Sequence, residues 1–358
     1  MAVFRILQIS DLHFGHPADH VNPLEAAVGG RNSLLAGSME VFRTIARGSA
    51  KGELALVFSP STFNPDVAQV LLRELHAQLP DLDAVVVTGD LATTGENPDL
   101  ALAKSFFRGA LPPEWNPLGG LPSLLADSEI PILCMPGNHD RYTGRLCAPG
   151  NRNFEEHFGK LWDFDRGKAY QISGKSSLVK FSAIQSRNSV LFICMADFSL
   201  ADVKAGDKAG GWIGQGRITE ATLEHLEVGT KRVVKAARLA GCNAAAIWAV
   251  HFPPAYPNIS PKLDLHDSRL LVEAATRCDV RFILAGHTHQ ALWYEAKAAT
   301  SAAQVICCGA SAGLSQHDAF SFTLLEVTVG EGEPSVTPVQ FLWNREQRRF
   351  ESTRFPTA

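Results

Sequence analysis

Short runs of almost uninterrupted apolar residues recur along the chain, and each run ends at glycine or at a polar residue. Six of them stand out, at 3–9, 84–88, 130–135, 190–196, 244–250 and 281–285. Continuous apolarity over so few residues, without polar alternation, is typical of strands that are covered on both faces. The pattern therefore predicts the strands of a buried sheet.

Helical patterns lie between several of these runs. Asn64 suits an N-cap and Pro65 the first position of a helix that Pro80 ends. Its apolar stripe consists of Val67, Val70, Leu71, Leu75 and Leu79. Two more helices are predicted at about 220–240 and about 267–277. The alternation of strands and helices predicts a layered α/β domain that binds ligands at the carboxyl ends of its strands.

The pattern changes at about residue 290. Four strand patterns follow one another without helices between them, at 292–295, 304–308, 320–329 and 336–343. We expect this strand-rich C-terminal part, 290–345, to form a second, largely antiparallel sheet. Because no flexible linker separates the two parts, we expect one composite domain over 1–358. The segment 16–62 fits neither strand nor helix cleanly and is expected to be an insertion.

Composition and charge limit the classes of partner. The chain is 46% hydrophobic and 20% charged, which is an ordinary globular composition. A formal net charge of −4, without a basic stretch interleaved with aromatic residues, argues against nucleic acid and anionic membrane as partners. No run approaches the roughly 18 apolar residues of a membrane-spanning helix. Seven cysteines without CxxC spacing favour core thiols of a reducing compartment, so a cytoplasmic protein is expected.

Polar side chains that can bind metal or carry protons follow five of the apolar runs. They are Asp11, His13, Asp90, Asn138, His139, Asp140, His251, His287 and His289. Taken alone, each cluster is also compatible with an ordinary polar turn or with a hydrogen-bonded core histidine. Together, oxygen and imidazole ligands from distant segments, each placed at a strand end, are what a two-metal hydrolytic site requires.

The order of these clusters resembles the signature blocks of the calcineurin-like metallophosphoesterase superfamily. The blocks read Asp11-x-His13, Gly89-Asp90, Gly137-Asn138-His139-Asp140, His251 and Gly286-His287-x-His289. The resemblance implies an αββα sandwich, in which two facing mixed sheets are covered by outer helices to give four layers. It also implies an enzyme, a phosphoric ester hydrolase with two metal ions.

The resemblance assigns a role to each candidate side chain. It implies one metal on Asp11, His13 and His289, a second on Asn138, His251 and His287, and a bridge through Asp90. This mixture of ligands suits two divalent or mixed-valence ions, Mn, Fe or Zn. A hydroxide bridging the ions is the implied nucleophile, and His139 is the residue implied at the leaving group. Asp140 is the second catalytic candidate; it either orients the His139 ring or has a purely structural role.

Details of the blocks distinguish branches of the superfamily. The continuation of the Gly89-Asp90 block lacks the features of purple acid phosphatases and of Ser/Thr protein phosphatases. The blocks around His251 and His287 look most like the bacterial cyclic-nucleotide phosphodiesterase-like (class III) branch, which implies a phosphodiesterase for small-molecule phosphate esters. A DNA repair-type nuclease of the same superfamily and a noncatalytic scaffold on the same fold are the alternatives. Further candidates for the substrate cleft are His16, Arg141, Tyr142 and His266.

Overall fold

Two six-stranded sheets, one two-stranded sheet and six α-helices form the regular structure of the part of the chain that the computed structural model describes. That part comprises residues 1–15, 63–127, 129–141, 152–163, 178–199, 216–257, 265–313 and 319–358. The expected insertion at 16–62 lies outside the described residues.

The strands and helices have the following bounds. The strands are β1 (Ala2–Ile9), β2 (Ala84–Val87), β3 (Ile132–Cys134), β4 (Val179–Ser186), β5 (Ser189–Ala196), β6 (Gly216–Arg217), β7 (Asn243–Ala249), β8 (Leu265–His266), β9 (Phe282–Ala285), β10 (Leu292–Ala298), β11 (Ser301–Cys307), β12 (Ser321–Val329), β13 (Ser335–Asn344) and β14 (Arg349–Arg354). The helices are α1 (Pro65–Gln78), α2 (Asn97–Phe107), α3 (Leu124–Asp127), α4 (Asn153–Asp163), α5 (Glu220–Leu239) and α6 (Ser268–Arg277).

Both large sheets are mixed. The first has the order β14-β13-β12-β1-β2-β3, and the second has the order β10-β11-β9-β7-β5-β4. Strands β1, β2 and β3 are parallel to one another, and so are β5, β7, β9 and β11. The remaining pairs in these two sheets are antiparallel. The parallel strands, at one side of the first sheet and at the centre of the second, therefore direct their carboxyl ends to one edge of each sheet.

The sheets face each other, and helices cover their outer faces. Along β5, Leu191, Ile193 and Met195 belong to the core between the sheets, whereas Phe192 and Cys194 belong to the core beneath α5 and α6. Successive strand residues point to opposite faces, so a strand buried on both sides is apolar at every position. Helices α1, α2 and α4 pack on the outer side of the first sheet. These four layers confirm the predicted αββα sandwich.

The separate C-terminal sheet that the pattern suggested is not formed. Strands β10 and β11 extend the second sheet, whereas β12, β13 and β14 extend the first through the antiparallel pairing of β12 with β1. That prediction was wrong because a strand pattern identifies the buried face of a strand but not the edge with which it pairs. Here β12 pairs with the opposite end of the chain, with Val329 opposite Ala2.

The start of α1 is as predicted. The Asn64 side-chain oxygen accepts hydrogen bonds from the N–H groups of Asp66 and Val67 at 3.1 and 3.2 Å, and Pro65 follows it.

The six cysteines among the described residues are free thiols, and five of them are buried. No helix in the described ranges is long and apolar enough to cross a membrane.

Trp248 anchors α5 to the outer face of the second sheet. Its side chain is fully buried, and its indole N–H donates to the Thr230 hydroxyl at 3.0 Å. Because Trp248→Ala removes these contacts and leaves a cavity, we expect the free energy of unfolding to fall by about 3–5 kcal/mol. Denaturant titration measures the loss. Trp343→Ala, at a ring that is only partly buried, is the matched control, and an equal loss there would contradict the anchoring role.

Candidate metal centre

The turns that follow β1 and β2 run side by side and carry three of the candidate ligands. The N–H of Asp11 donates to the Gly89 carbonyl at 3.0 Å, and those of Leu12 and His13 donate to the Asp90 carbonyl at 2.8 and 3.0 Å. Asp11, His13 and Asp90 have φ angles of 52°, 50° and 52°. Non-glycine residues seldom adopt this left-handed conformation, which persists only where the surrounding structure imposes it. The paired turns therefore hold the three residues in strained backbone positions next to one another.

The second sheet supplies the histidines. His251 follows β7, and His287 and His289 follow β9 with φ angles of 71° and 56°. The Gly286 N–H donates to the His251 carbonyl at 3.0 Å, which joins these two turns. The His287 N–H donates to Asp11 Oδ2 at 3.0 Å. This last bond spans the two sheets and brings the turn after β9 onto the turn after β1.

Asp11, His13 and His289 form the first group of donor atoms. His13 Nε2 lies 3.0 Å from His289 Nε2, and Asp11 Oδ1 lies 3.4 Å from His289 Nε2 and 3.9 Å from His13 Nε2. Asp11 Oδ1 is buried and accepts no hydrogen bond within the described part of the chain. A buried carboxylate oxygen in this state, facing two imidazole nitrogens, fits a bound cation.

A second group surrounds His251. Its Nε2 lies 3.0 Å from Asn138 Oδ1 and 3.2 Å from Asp90 Oδ2, and its ring centroid is 5.1 Å from that of His287. Asp90 Oδ2 is also 3.9 Å from His13 Nε2 in the first group. The Asp90 carboxylate thus lies between the two groups, and the carboxylate, amide and imidazole donors of both groups fit bound metal ions.

Burial and neighbouring charges set the protonation of these groups. Burial lowers the pKa of His287 to about 3, and burial together with repulsion from His139 lowers the pKa of His13 well below its usual value. Burial raises the pKa of the Asp90 carboxyl, but His251 and His139 outweigh that effect and hold the pKa well below its usual range. Neutral imidazole and ionised carboxylate are the forms that bind metal.

His251 differs from the other histidines. Burial lowers its pKa, but attraction to Asp90 is stronger and raises the pKa to about 9. The ring Nδ1 lies 2.8 Å from the Thr88 carbonyl. Because a carbonyl can only accept, Nδ1 carries a proton and Nε2 faces Asp90 and Asn138. A cation beside Asp90 would take the place of the second proton.

His139 lies beside the ligands. It begins the 3₁₀ turn His139–Arg141 after β3, and its N–H donates to Asp90 Oδ1 at 2.8 Å. Its ring is T-shaped to the His13 ring with 4.6 Å between centroids, and its Nδ1 donates to the Thr93 carbonyl at 2.8 Å. The ring is thus fixed by a backbone acceptor at the edge of the donor groups.

The contacts of the Asp140 carboxylate do not support one of its two expected roles, which was to orient the His139 ring. Its Oδ2 accepts the N–H groups of Gly137 and Leu91 at 2.8 and 3.2 Å, and its Oδ1 accepts that of Ala92 at 2.9 Å. The Asp140 side chain therefore joins the turn after β3 to the turn after β2. These bonds favour the structural role for Asp140.

Two of the further candidates for the substrate cleft can be placed. Arg141 is fully buried, which weighs against the expected contact with substrate. His266 has an exposed side chain that is hydrogen-bonded to Asp267 at 2.8 Å. His16 and Tyr142 lie outside the described residues. Sequence reasoning did not single out Thr88 and Thr93, because their backbone carbonyls hold the histidines and any residue type supplies a carbonyl.

Gly137, which has no side chain, leaves room for the Asp90 carboxylate and the His251 ring. A Cβ atom there would lie against the Asp90 carboxylate, 2.6 Å from the Asp90 nitrogen and 2.7 Å from His251 Cε1. We therefore expect Gly137→Ala to displace both side chains and to weaken metal binding about 10- to 100-fold. Competition with a fluorescent chelator measures the affinity. Gly332→Ala, whose Cβ would meet nothing within 4 Å, is the control; equal affinities for the two variants would contradict the expectation.

Comparisons with known proteins point to one family. The family model of calcineurin-like phosphoesterases matches residues 4–291. A search of curated proteins gives no significant match. Among solved structures, a dimetal phosphatase from Danio rerio is similar with a TM-score of 0.51 and 13% identity, over 93% of this chain and 98% of that chain. A purple acid phosphatase from yellow lupin (Lupinus luteus) seeds gives 0.45 and 11%, over 98% and 53%, and is too distant to support an argument.

Sequence identity this low shows only that the fold is shared with the Danio rerio phosphatase. The family match is more informative, because it includes every cluster of candidate ligands from Asp11 to His289. The resemblance that the sequence suggested is thereby confirmed at the level of the family. The chain belongs to the calcineurin-like phosphoesterase family of phosphoric ester hydrolases.

Proposed function

We propose that the protein is a dinuclear metal-dependent phosphodiesterase that acts on a small-molecule phosphate ester. The observation that carries the proposal is the position of the Asp90 carboxylate between two groups of donor atoms. The proposed ligands of one ion are Asp11, His13 and His289, those of the other are Asn138, His251 and His287, and Asp90 bridges. Two bound ions of this kind, Mn, Fe or Zn, supply Lewis acidity that activates water and balances phosphate charge during in-line displacement.

The protein's own residues orient the ester and handle the proton of the leaving group. The His139 ring, fixed through the Thr93 carbonyl at 2.8 Å, lies next to the ligands and is the proposed donor to the departing oxygen. The ligand side chains of Asp11, His13, Asp90, Asn138 and His251 are buried. His287 and His289, in the turn after β9, are partly exposed, His289 by 21%. The exposed turn residue Gln290 follows it. We infer that the ester approaches the ions from the side of this turn.

Sequence features favour the diesterase over its rivals. The blocks around His251 and His287 resemble those of the class III cyclic-nucleotide phosphodiesterase-like branch, whose substrates are small diesters. The net charge of −4 weighs against the alternative, a DNA repair-type nuclease. The complete set of donor groups weighs against a noncatalytic scaffold. We also propose a cytoplasmic location, since five buried free thiols suit a reducing compartment.

Metal analysis and a substrate panel test the proposal. We expect the purified protein, supplied with Mn²⁺, to bind two ions per chain and to hydrolyse bis-p-nitrophenyl phosphate faster than p-nitrophenyl phosphate. Removal of metal with a chelator should abolish turnover. Cyclic nucleotides, phospholipid-type diesters and linear DNA complete the panel. Turnover of DNA alone would identify the nuclease, and absence of both metal and turnover would identify the scaffold.

A further inference from the structure

The side chain of Arg141 forms a buried ion-pair cluster beside the candidate metal centre. It ends the 3₁₀ turn that His139 begins, and it is fully buried. Its Nη1 and Nη2 donate to the two oxygens of Glu155 at 2.7 and 2.8 Å. Its Nε and Nη2 donate to Asp197 Oδ2 at 3.2 and 2.8 Å. Such a fork of charge-assisted bonds holds a guanidinium in one orientation and offsets the loss of its hydration.

The two carboxylates belong to different layers of the fold. Glu155 lies in the first turn of α4, which packs against β3. Asp197 directly follows β5 of the second sheet, is 2% exposed, and uses its Oδ1 to accept both the N–H and the hydroxyl of Ser199. Asp197 is therefore itself held in place, and Arg141 links the turn after β3 to the facing sheet.

The start of the same turn is attached to the first sheet. The His139 N–H donates to Asp90 Oδ1, and the Asp140 carboxylate accepts backbone N–H groups of the turn after β2. Only one residue separates His139 from Arg141. A displacement of the guanidinium therefore moves the imidazole relative to the ligands, and a misplacement of about 1 Å can reduce turnover about 100-fold.

We propose that Arg141 and Asp197 are positioning residues that set the His139 ring against the phosphate ester bound at the metal centre. The inference rests on the proposed function. Both side chains are buried, so neither contacts substrate, and both act through His139. Their ion pair ties the turn that carries His139 to the second sheet, in addition to the bonds that His139 itself makes to Asp90 and Thr93.

Two conservative substitutions test the proposal. Arg141→Lys keeps the cation but cannot reproduce the fork to two carboxylates, and Asp197→Asn keeps the size of the side chain but removes its charge. For each variant we expect kcat with bis-p-nitrophenyl phosphate to fall about 10- to 100-fold, the range for groups that support a metal site from outside. Two bound metals and the parental KM should remain. Arg277→Lys, at an exposed arginine forked to Glu227, is the matched control and should keep the parental kcat.

The same substitutions in a His139→Ala background separate positioning from general support of the fold. If they act through His139, they should cause little further loss once that ring is gone. Full additional loss in that background, or loss of metal, would overturn the positioning role. The positioning role would also be overturned if both single variants of an active parent protein kept the parental kcat. Denaturant titration identifies a variant that has failed to fold, in which case the other variant decides. Failure of the proposed function itself is recognised separately, by a parent protein without metal or turnover.

Discussion

Replacing Asp90 by asparagine should abolish turnover and remove at least one metal ion. Asp90 Oδ2 lies 3.2 Å from His251 Nε2 and 3.9 Å from His13 Nε2, so the substitution changes the group that both sets of donors face. Asparagine keeps the shape and one oxygen but loses the charge. Because the ions contribute several kcal/mol of charge stabilisation in the transition state, and about 1.4 kcal/mol corresponds to a factor of ten, we expect turnover to fall about a thousandfold or more.

The consequence for metal binding can be followed without an activity assay. A ligand that binds only the folded state raises the melting temperature, so Mn²⁺ should stabilise the parent protein and stabilise Asp90→Asn much less. Asp279→Asn is the matched control, because the Asp279 side chain is 72% exposed and pairs with Arg238 at 3.5 Å. An Asp90→Asn protein that bound two ions per chain and turned over at the parental rate would contradict the bridging role.

The sequence predicted most strands and three helices, because their signals are local. The cap at Asn64 and the apolar strand runs depend on neighbouring residues alone. Helix α2 was not predicted, although Pro98 lies in its first turn. Its buried face consists of Leu100, Ala103, Phe106 and Phe107, together with Asp99 and Leu102. A stripe interrupted by a buried carboxylate does not resemble an ordinary amphipathic helix, and only tertiary packing explains it.

The pattern of apolar residues cannot predict which distant strands pair with each other. The alternation along β12 shows which face of that strand is buried, but its partner β1 begins at Ala2. This pairing joins the C-terminal strands to the sheet that carries Asp11 and Asp90, and it supports our proposal that 1–358 is one domain. The expected separation of the C-terminal strands into a sheet of their own was wrong.

The candidate ligands were found from the sequence because metal chemistry restricts residue type. Only a few types of side chain bind the expected ions. The candidate ligands are of these types, and each of them follows a strand-like run. The groups that orient those ligands carry no such restriction. His139 and His251 are held by the carbonyls of Thr93 and Thr88, and Asp140 binds backbone N–H groups instead of the neighbouring imidazole. Roles that depend on main-chain atoms become visible only when the turns are placed in space.

Replacing His139 by alanine should separate chemistry from metal binding. The ring lies next to the donor groups, with 4.6 Å between its centroid and that of His13, but its Nδ1 is committed to the Thr93 carbonyl at 2.8 Å. The substitution leaves both proposed sets of ligands intact, so two ions should remain bound. Loss of an acid that protonates the leaving group typically reduces turnover by about 10² to 10⁴, and we expect kcat to fall within that range.

The dependence on the leaving group makes this prediction sharper. A p-nitrophenolate leaves without much help from an acid, whereas an alkoxide requires protonation. The loss in His139→Ala should therefore be larger for an alkyl phosphodiester than for bis-p-nitrophenyl phosphate. His225→Ala, at a partly buried histidine of α5 on the outer face of the second sheet, is the matched control. Equal losses for both esters would assign His139 to stabilisation of phosphate charge instead of proton transfer. Unchanged turnover would remove His139 from the mechanism, because the methyl group of alanine can carry neither role.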